Sequence, residues 1–231
     1  MGFKLESVVP WGRSLDEYTR MFDLSSDDLQ KNILDCGGGP ASFNVEMTQN
    51  GGHIISCDPI YRLSVQEIEQ RIQETYNVIV EGVRANYDDY VWEQARSPDA
   101  LGQIRLKAMH RFLQDFPAGL ATNRYQVAEL PELPFRDRQF DLALCGYLLF
   151  TYSDHLSQFF HLSSIRELCR VATEVRIFPL LTISGEPSPF LPIAIQELQQ
   201  QGYHVEIRTV PYEFQKGGNQ MLLCHQQNCH P

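Results

Sequence analysis

An α/β domain around a mainly parallel sheet is what the sequence predicts, and three observations predict it. Apolar, β-rich runs alternate with stretches of helical periodicity along the chain. The first such run, "NILDC", passes directly into Gly37-Gly38-Gly39. The last two, "HVEIRTVPYEF" and "QMLLCHQ", are separated only by the glycine turn "QKGGN", so the final strand is expected to run antiparallel.

The elements follow in order. Ser14 with Glu17 three residues on is a capping box for a short helix through Phe22, and "SSDDLQK" predicts a second brief helix. "NILDC" is the first strand and "HIISCDP" the second. Ser64 with Glu67 caps a long helix whose Ile68, Ile72, Ile79, Val83 and Tyr87 recur about every four residues. Ser97, with Pro98 in the first turn, opens another helix with Leu101, Ile104, Ala108, Phe112 and Phe116 on one face. "RYQVAEL" and "FDLALCGYLLF" are the third and fourth strands, a helix runs through "SSIRELCRVA", and "EVRIFPLL" is the fifth strand. "PIAIQELQQQG" is the last helix before the closing hairpin. The chain reads as one domain, 1–231. Residues 64–124 exceed the single crossover helix that a compact unit needs, and form either a helical insertion that covers the ligand crevice or additional core packing.

Composition narrows the partners. With 231 residues, 43% of them hydrophobic, the chain can bury a substantial core. Nineteen Lys and Arg against 29 Asp and Glu leave a net charge of −10, which argues against a nucleic acid or an anionic membrane as partner, because phosphate binding requires a cationic face. The longest apolar run, around Leu142 to Phe150, is far short of the roughly 20 residues of a membrane span. The start does not resemble a signal peptide, and Glu6 stands where myristoylation of Gly2 asks for Ser or Thr. A cytoplasmic protein is the expectation, either monomer or homodimer. The six cysteines form no CxxC pair and read as reduced structural thiols. Cys224-His225 and Cys229-His230 match no tetrahedral zinc spacing, and no metal is expected.

A strand leading through a glycine turn into a helix, at the carboxyl edge of a parallel sheet, is where a nucleotide-like ligand binds. Gly37-x-Gly39 lacks the third glycine of a dinucleotide fingerprint, since Ser42 stands there, and Pro40 has no N–H to offer a pyrophosphate. Asp35 adds like-charge repulsion, roughly 4 kcal/mol for unit charges about 4 Å apart at an effective dielectric of 20. A cationic ligand without phosphate suits this polarity, and S-adenosylmethionine has a sulfonium, an α-ammonium and an adenosine. Asp58, at the end of the second strand, is placed to accept hydrogen bonds from ribose hydroxyls, or else Asp58-Pro59 is a plain turn.

Over nearly its whole length the chain resembles the class I S-adenosylmethionine-dependent methyltransferases. "ILDCGGGPASF" is similar to their D-x-G-x-G motif and "SCDPIY" to their ribose acid. "AELPELPFRDRQFDLALCGYLLF" matches the adenine loop and fourth strand, and "EVRIFPLL" the fifth strand. The resemblance implies a Rossmann-like, doubly wound, seven-stranded sheet with a reversed seventh strand. It implies S-adenosylmethionine as cofactor and a small molecule as methyl acceptor. Asp35, Gly37, Gly38 and Gly39 would surround the methionine half, Asp58 with Pro59 the ribose, and Glu129-Leu130 the adenine; many relatives have Asp where Glu129 stands. Cys145-Gly146-Tyr147 would lie at the transfer site, without the N-P-P-Y signature of amide and nucleobase methylation.

Methyl transfer from a sulfonium needs alignment and exclusion of water, and a base only for some acceptors. "GYLLFTYSDH" offers Tyr147, Tyr152, Asp154 and His155, with His155 and Tyr147 the first choices; alternatively Asp154 starts a helix and His155 is solvated. Arg13 and Tyr18 either hold the cofactor carboxylate, fold over the ligand or lie at the surface. Trp11, Trp92, Tyr87 and Tyr90 wall an acceptor or belong to the core. A dinucleotide oxidoreductase and a non-catalytic binding protein of the same fold are the competing readings.

Overall fold

The computed structural model describes residues 9–226. In chain order the elements are α1 (Leu15–Met21), β1 (Asn32–Cys36), α2 (Phe43–Gln49), β2 (His53–Cys57), α3 (Val65–Ala85), α4 (Pro98–Ala121), β3 (Tyr125–Gln126), β4 (Phe140–Gly146), α5 (Gln158–Val171), β5 (Ala172–Phe178), α6 (Leu191–Gln200), β6 (Tyr203–Thr209) and β7 (Gln220–Gln226). They build one seven-stranded sheet in the order β3-β2-β1-β4-β5-β7-β6. Pairings from β3 to β5 are parallel, and β7 runs antiparallel to both β5 and β6.

Because β1 lies between β2 and β4, the winding reverses direction at β1, and the loops after β1 and β4 diverge there to open a crevice. The sequence supports this placement. Ile33 and Leu34 of β1 and Leu142, Ala143 and Leu144 of β4 are fully buried, as expected of central parallel strands covered on both faces. One apolar layer packs α5 and α6 on the sheet through Ile165, Leu168, Ala194 and Leu198; the opposite layer holds α1 and α2 through Met21, Phe22, Phe43 and Met47.

Both predicted capping boxes form, at Ser14 with Glu17 and at Ser64 with Glu67. Ile68, Ile72, Ile79 and Val83 are buried along α3, each contributing roughly 1.5–3 kcal/mol of apolar burial. Several expected boundaries move. "SSDDLQK" makes only a 3-10 turn at Asp28–Gln30, with Asp28 accepting from Ser25 and Lys31. Tyr87 lies beyond α3 in a separate 3-10 turn and is exposed, and Ile104 points outward from α4. The third strand shrinks to two residues, and α4 continues through Pro117 to Ala121. β4 stops at Gly146 because the backbone turns at Tyr147, whose φ is +54°.

α3 and α4 pack on one another between β2 and β3. Phe112 and Phe116 of α4 close on Tyr61 and Tyr125, while Leu101 joins Ile79, Val83 and Tyr90. The described cysteines Cys36, Cys57, Cys145, Cys169 and Cys224 are buried free thiols; Cys229 and His230 lie outside the described residues. Among the described residues no helix is long and apolar enough to cross a membrane, and no cluster of metal-ligating side chains is found.

Candidate active site

A cavity of about 580 Å³ opens at the carboxyl ends of β1, β2 and β4, within the range of pockets for drug-sized ligands. Its floor is the glycine turn. Gly37 and Gly39 have φ of +72° and +51°, a left-handed backbone that favours glycine. The Gly37 N–H donates to the Cys57 carbonyl at 2.9 Å, tying the turn to the end of β2. A Cβ on Gly37 would meet Leu148 at 2.8 Å and one on Gly38 would overlap the Asp35 carboxylate, whereas at Gly39 only Asp58 lies within 4 Å.

Asp35 sits beneath this turn and does not line the cavity. Its carboxylate accepts from the Tyr18 hydroxyl at 3.0 Å and the Ser56 hydroxyl at 2.8 Å. Burial raises its pKa to about 7 against those two hydrogen bonds, and the charge of Asp58 adds to the rise. Tyr18, stacked on Phe43 at 4.1 Å, lines the cavity and donates its hydroxyl to Asp35. Ser56 is held in turn by the Asn44 side-chain amide at 3.0 Å.

Asp58 and Pro59 line the cavity beside the turn. The two Asp58 oxygens accept from the backbone N–H of Gly39 at 3.0 Å and of Ile60 at 2.8 Å, so Asp58 caps the following turn and pins the glycine loop together. Burial pushes its pKa up. Each oxygen keeps a second lone pair for a ligand. Tyr61 completes the bracing by donating to the Gly39 carbonyl at 2.8 Å. Glu129 and Leu130 form a further wall; Glu129 is exposed and faces Arg62 at 3.7 Å, and Leu130 is buried.

Arg13 lines the same cavity, is 8% exposed, and lies 3.4 Å over the Tyr147 ring. One terminal nitrogen donates to the Trp11 carbonyl at 3.2 Å, while its buried Nε has no partner. Tyr147 also lines the cavity, and burial raises its phenol above the ordinary value, which makes it a donor rather than a base.

Besides Asp35, the expected residues Cys145 and His155 lie outside the cavity lining. Cys145 is fully buried in the core below the site, burial pushing its thiol up to about 12; Cys36, Gly146, Tyr147 and Leu148 reach the cavity, and Cys145 does not. His155 is exposed on the turn after β4 and does not line the cavity. The histidine that shapes this loop is His161. Fully buried on α5, it accepts the Phe150 N–H at Nε2 (3.1 Å), while Nδ1 lies 2.9 Å from the Ser157 carbonyl, and burial lowers its pKa. Of the four aromatic candidates, Trp11 and Tyr90 line the cavity; Tyr87 and Trp92 stack on each other outside it.

Sequence reasoning missed Ser56, Tyr61, Thr151 and Phe214. Ser56 and Tyr61 sit inside "SCDPIY", where alternation along β2 places Ser56 on the face opposite its neighbours; Thr151 and Phe214 carry no comparable signal.

The strand order, the reversed β7 and a glycine turn leaving β1 beneath a crevice define a protein of the class I methyltransferase fold. The chain belongs to the same family as the uncharacterised protein MJ0045 of Methanocaldococcus jannaschii, to which it is 34% identical over 220 residues, 95% of this chain and 96% of that protein. No family model matches it. Among solved structures it is similar to the magnesium protoporphyrin IX methyltransferase ChlM of Synechocystis PCC 6803 with bound SAM, at 13% identity and a TM-score of 0.47, over 92% of this chain and 78% of that one. It is also similar to a SAM-dependent methyltransferase of Methanosarcina mazei, at 13% identity and a TM-score of 0.42, over 85% and 92% of the respective chains.

Proposed function

We propose that the chain is an S-adenosylmethionine-dependent methyltransferase acting on a small-molecule acceptor. The observation that carries this reading is the charge arrangement of one cavity: a buried carboxyl under the glycine turn, a second at the end of β2, and a buried guanidinium with an unused Nε–H on the facing wall. A zwitterionic, sulfonium-bearing adenosine compound without phosphate matches all three.

The residues present fit that cofactor. The open side of Gly39 leaves room for it, Asp58 would take the ribose, Glu129 and Leu130 the adenine, and Arg13 the carboxylate, a planar group suited to a guanidinium. When bound, the cofactor supplies a methyl group already activated on sulfur. The chain's own contribution is alignment and exclusion of water. Residues 64–124 serve as the cover, since Ile79 and Val83 of α3 and Tyr90 wall the cavity.

Dinucleotide binding is opposed by Pro40 and by the acid beneath the turn. Calorimetric titration decides between them: S-adenosylmethionine and S-adenosylhomocysteine bind and NAD does not. Preference for NAD would reject the proposal.

A further inference from the structure

The two ends of the cavity differ in chemistry. Asp58 and Glu129 are the carboxylates among the described lining residues, Asp58 bonded to the glycine turn and Glu129 paired with Arg62 on the wall after β3; no histidine or lysine is in the lining. The other end is walled by Trp11, Ile79, Val83, Tyr90 and Phe214. These residues pack as one apolar cluster, with Tyr90 stacked on Phe214 at 4.6 Å.

A buried side-chain oxygen near this end has no partner. Thr151, 6% exposed, has a buried hydroxyl without a partner. Its backbone is fixed, because its carbonyl accepts the Ile183 N–H at 2.9 Å, and the Ile183 carbonyl accepts from the Gln215 side chain at 3.1 Å. Gln215 adjoins Phe214, so the hydroxyl and the aromatic wall belong to one linked unit. A buried hydroxyl left unsatisfied is unfavourable, and a bound ligand that accepts from it relieves that cost.

We propose that this end binds the methyl acceptor, and that the acceptor is an aromatic oxygen acid already ionised at neutral pH, its rings between the aromatic walls and its oxyanion on the Thr151 hydroxyl. The inference rests on the methyltransferase reading above. An alcohol would require a base to remove its proton, and the apolar end holds none among the described residues. An anionic oxygen requires none: the O–C bond forms as the S–C bond breaks, sulfur keeps the electron pair, and the two charges cancel without release of a proton.

The test uses the full chain saturated with S-adenosylhomocysteine, whose own binding is measured first, and titrates naphthalene-2-carboxylate and naphthalen-2-ol by calorimetry. The acid binds and the neutral alcohol binds at least several-fold more weakly. Thr151→Val weakens the acid on the order of tenfold, as expected for a hydrogen bond to a charged group, and Thr151→Ser restores it. An acid that fails to bind, that binds Thr151→Val as tightly as the unaltered chain, or that is matched by the alcohol overturns the proposal. Failure of S-adenosylhomocysteine itself to bind instead overturns the reading on which it rests.

Discussion

Asp35 makes affinity and stability depend on pH in opposite senses. Its carboxyl touches Tyr18 of α1 and Ser56 of β2 and faces the charge of Asp58 and the phenol of Tyr61, and burial raises its pKa to about 7. The unfolded chain ionises it near 3.8, so between pH 3.8 and about 7 the folded state binds the extra proton. Stability without ligand is therefore greatest below that window and falls as pH rises through it. At 1.36 kcal/mol per pH unit the loss approaches roughly 4 kcal/mol. A cationic ligand above the turn favours the ionised form. With a pKa of about 7 the ionised fraction rises from about one tenth at pH 6 to about nine tenths at pH 8, so affinity should increase roughly tenfold over that interval. Isothermal titration of S-adenosylmethionine at both pH values, alongside Asp35→Asn, measures this. The variant should lose the pH dependence of binding, and urea titrations should show it gaining on the unaltered chain as pH rises from 4 to 7. Equal affinities at pH 6 and 8, or a tenfold change that persists in Asp35→Asn, would refute the electrostatic role.

Other consequences follow from single contacts. Gly38→Ala places a methyl group in the Asp35 carboxylate and should lower stability by about 1–3 kcal/mol; an unchanged melting temperature would contradict the packing of the turn. Asp58→Ala should weaken S-adenosylhomocysteine binding by about 1–3 kcal/mol in calorimetry, and unaltered affinity would remove Asp58 from the site. Arg105→Met strands Glu17 and should cost about 3–5 kcal/mol in urea denaturation, whereas Glu17→Met with Arg105→Met together should recover most of it; a double variant as unstable as the single would show that the charge pair is not the cause. His155→Ala should leave S-adenosylhomocysteine affinity within about twofold, and a larger loss would place that ring in the site after all.

Strands were legible where one local pattern decides them. "NILDC" and "QMLLCHQ" are strands over their full predicted lengths, because each is a short apolar run bounded by polar or glycine residues. "RYQVAEL" keeps only Tyr125 and Gln126, since its remainder turns away to wall the cavity with Ala128, Glu129 and Leu130. The glycine turn and Asp58 were legible because glycine spacing and an acid after a strand are local features. Of the cavity's other wall, Trp11 and Tyr90 were candidates by residue type alone, whereas Thr151 and Phe214 were not legible, because they come from segments joined only by the tertiary fold. The choice of histidine turned on one helix boundary. With α5 capped at Ser157, whose hydroxyl accepts from the Phe160 N–H, His161 shares an inward face with Ile165 and Leu168 and His155 is left outside; a start six residues later hides that relation.

A buried ion pair joins α1 to α4 beside two residues that line the cavity. Glu17 belongs to the α1 capping box through one oxygen, and through the other it accepts from Arg105 of α4 and from the Tyr212 hydroxyl of the β6–β7 loop at 3.2 Å. Burial opposes its ionisation, but the charge of Arg105 more than offsets this and holds its pKa below the ordinary value. α1, α4 and the β6–β7 loop thus meet at one carboxylate. The next residue, Tyr18, reaches the opposite way to Asp35 beneath the glycine turn, and Arg13 lies just ahead of the same helix. Fixing α1 against α4 therefore positions both the hydroxyl that holds the buried acid and the guanidinium that lines the cavity. A helix of seven residues has too little hydrogen bonding to keep that position alone, so the contacts with α4 and the β6–β7 loop help to fix it.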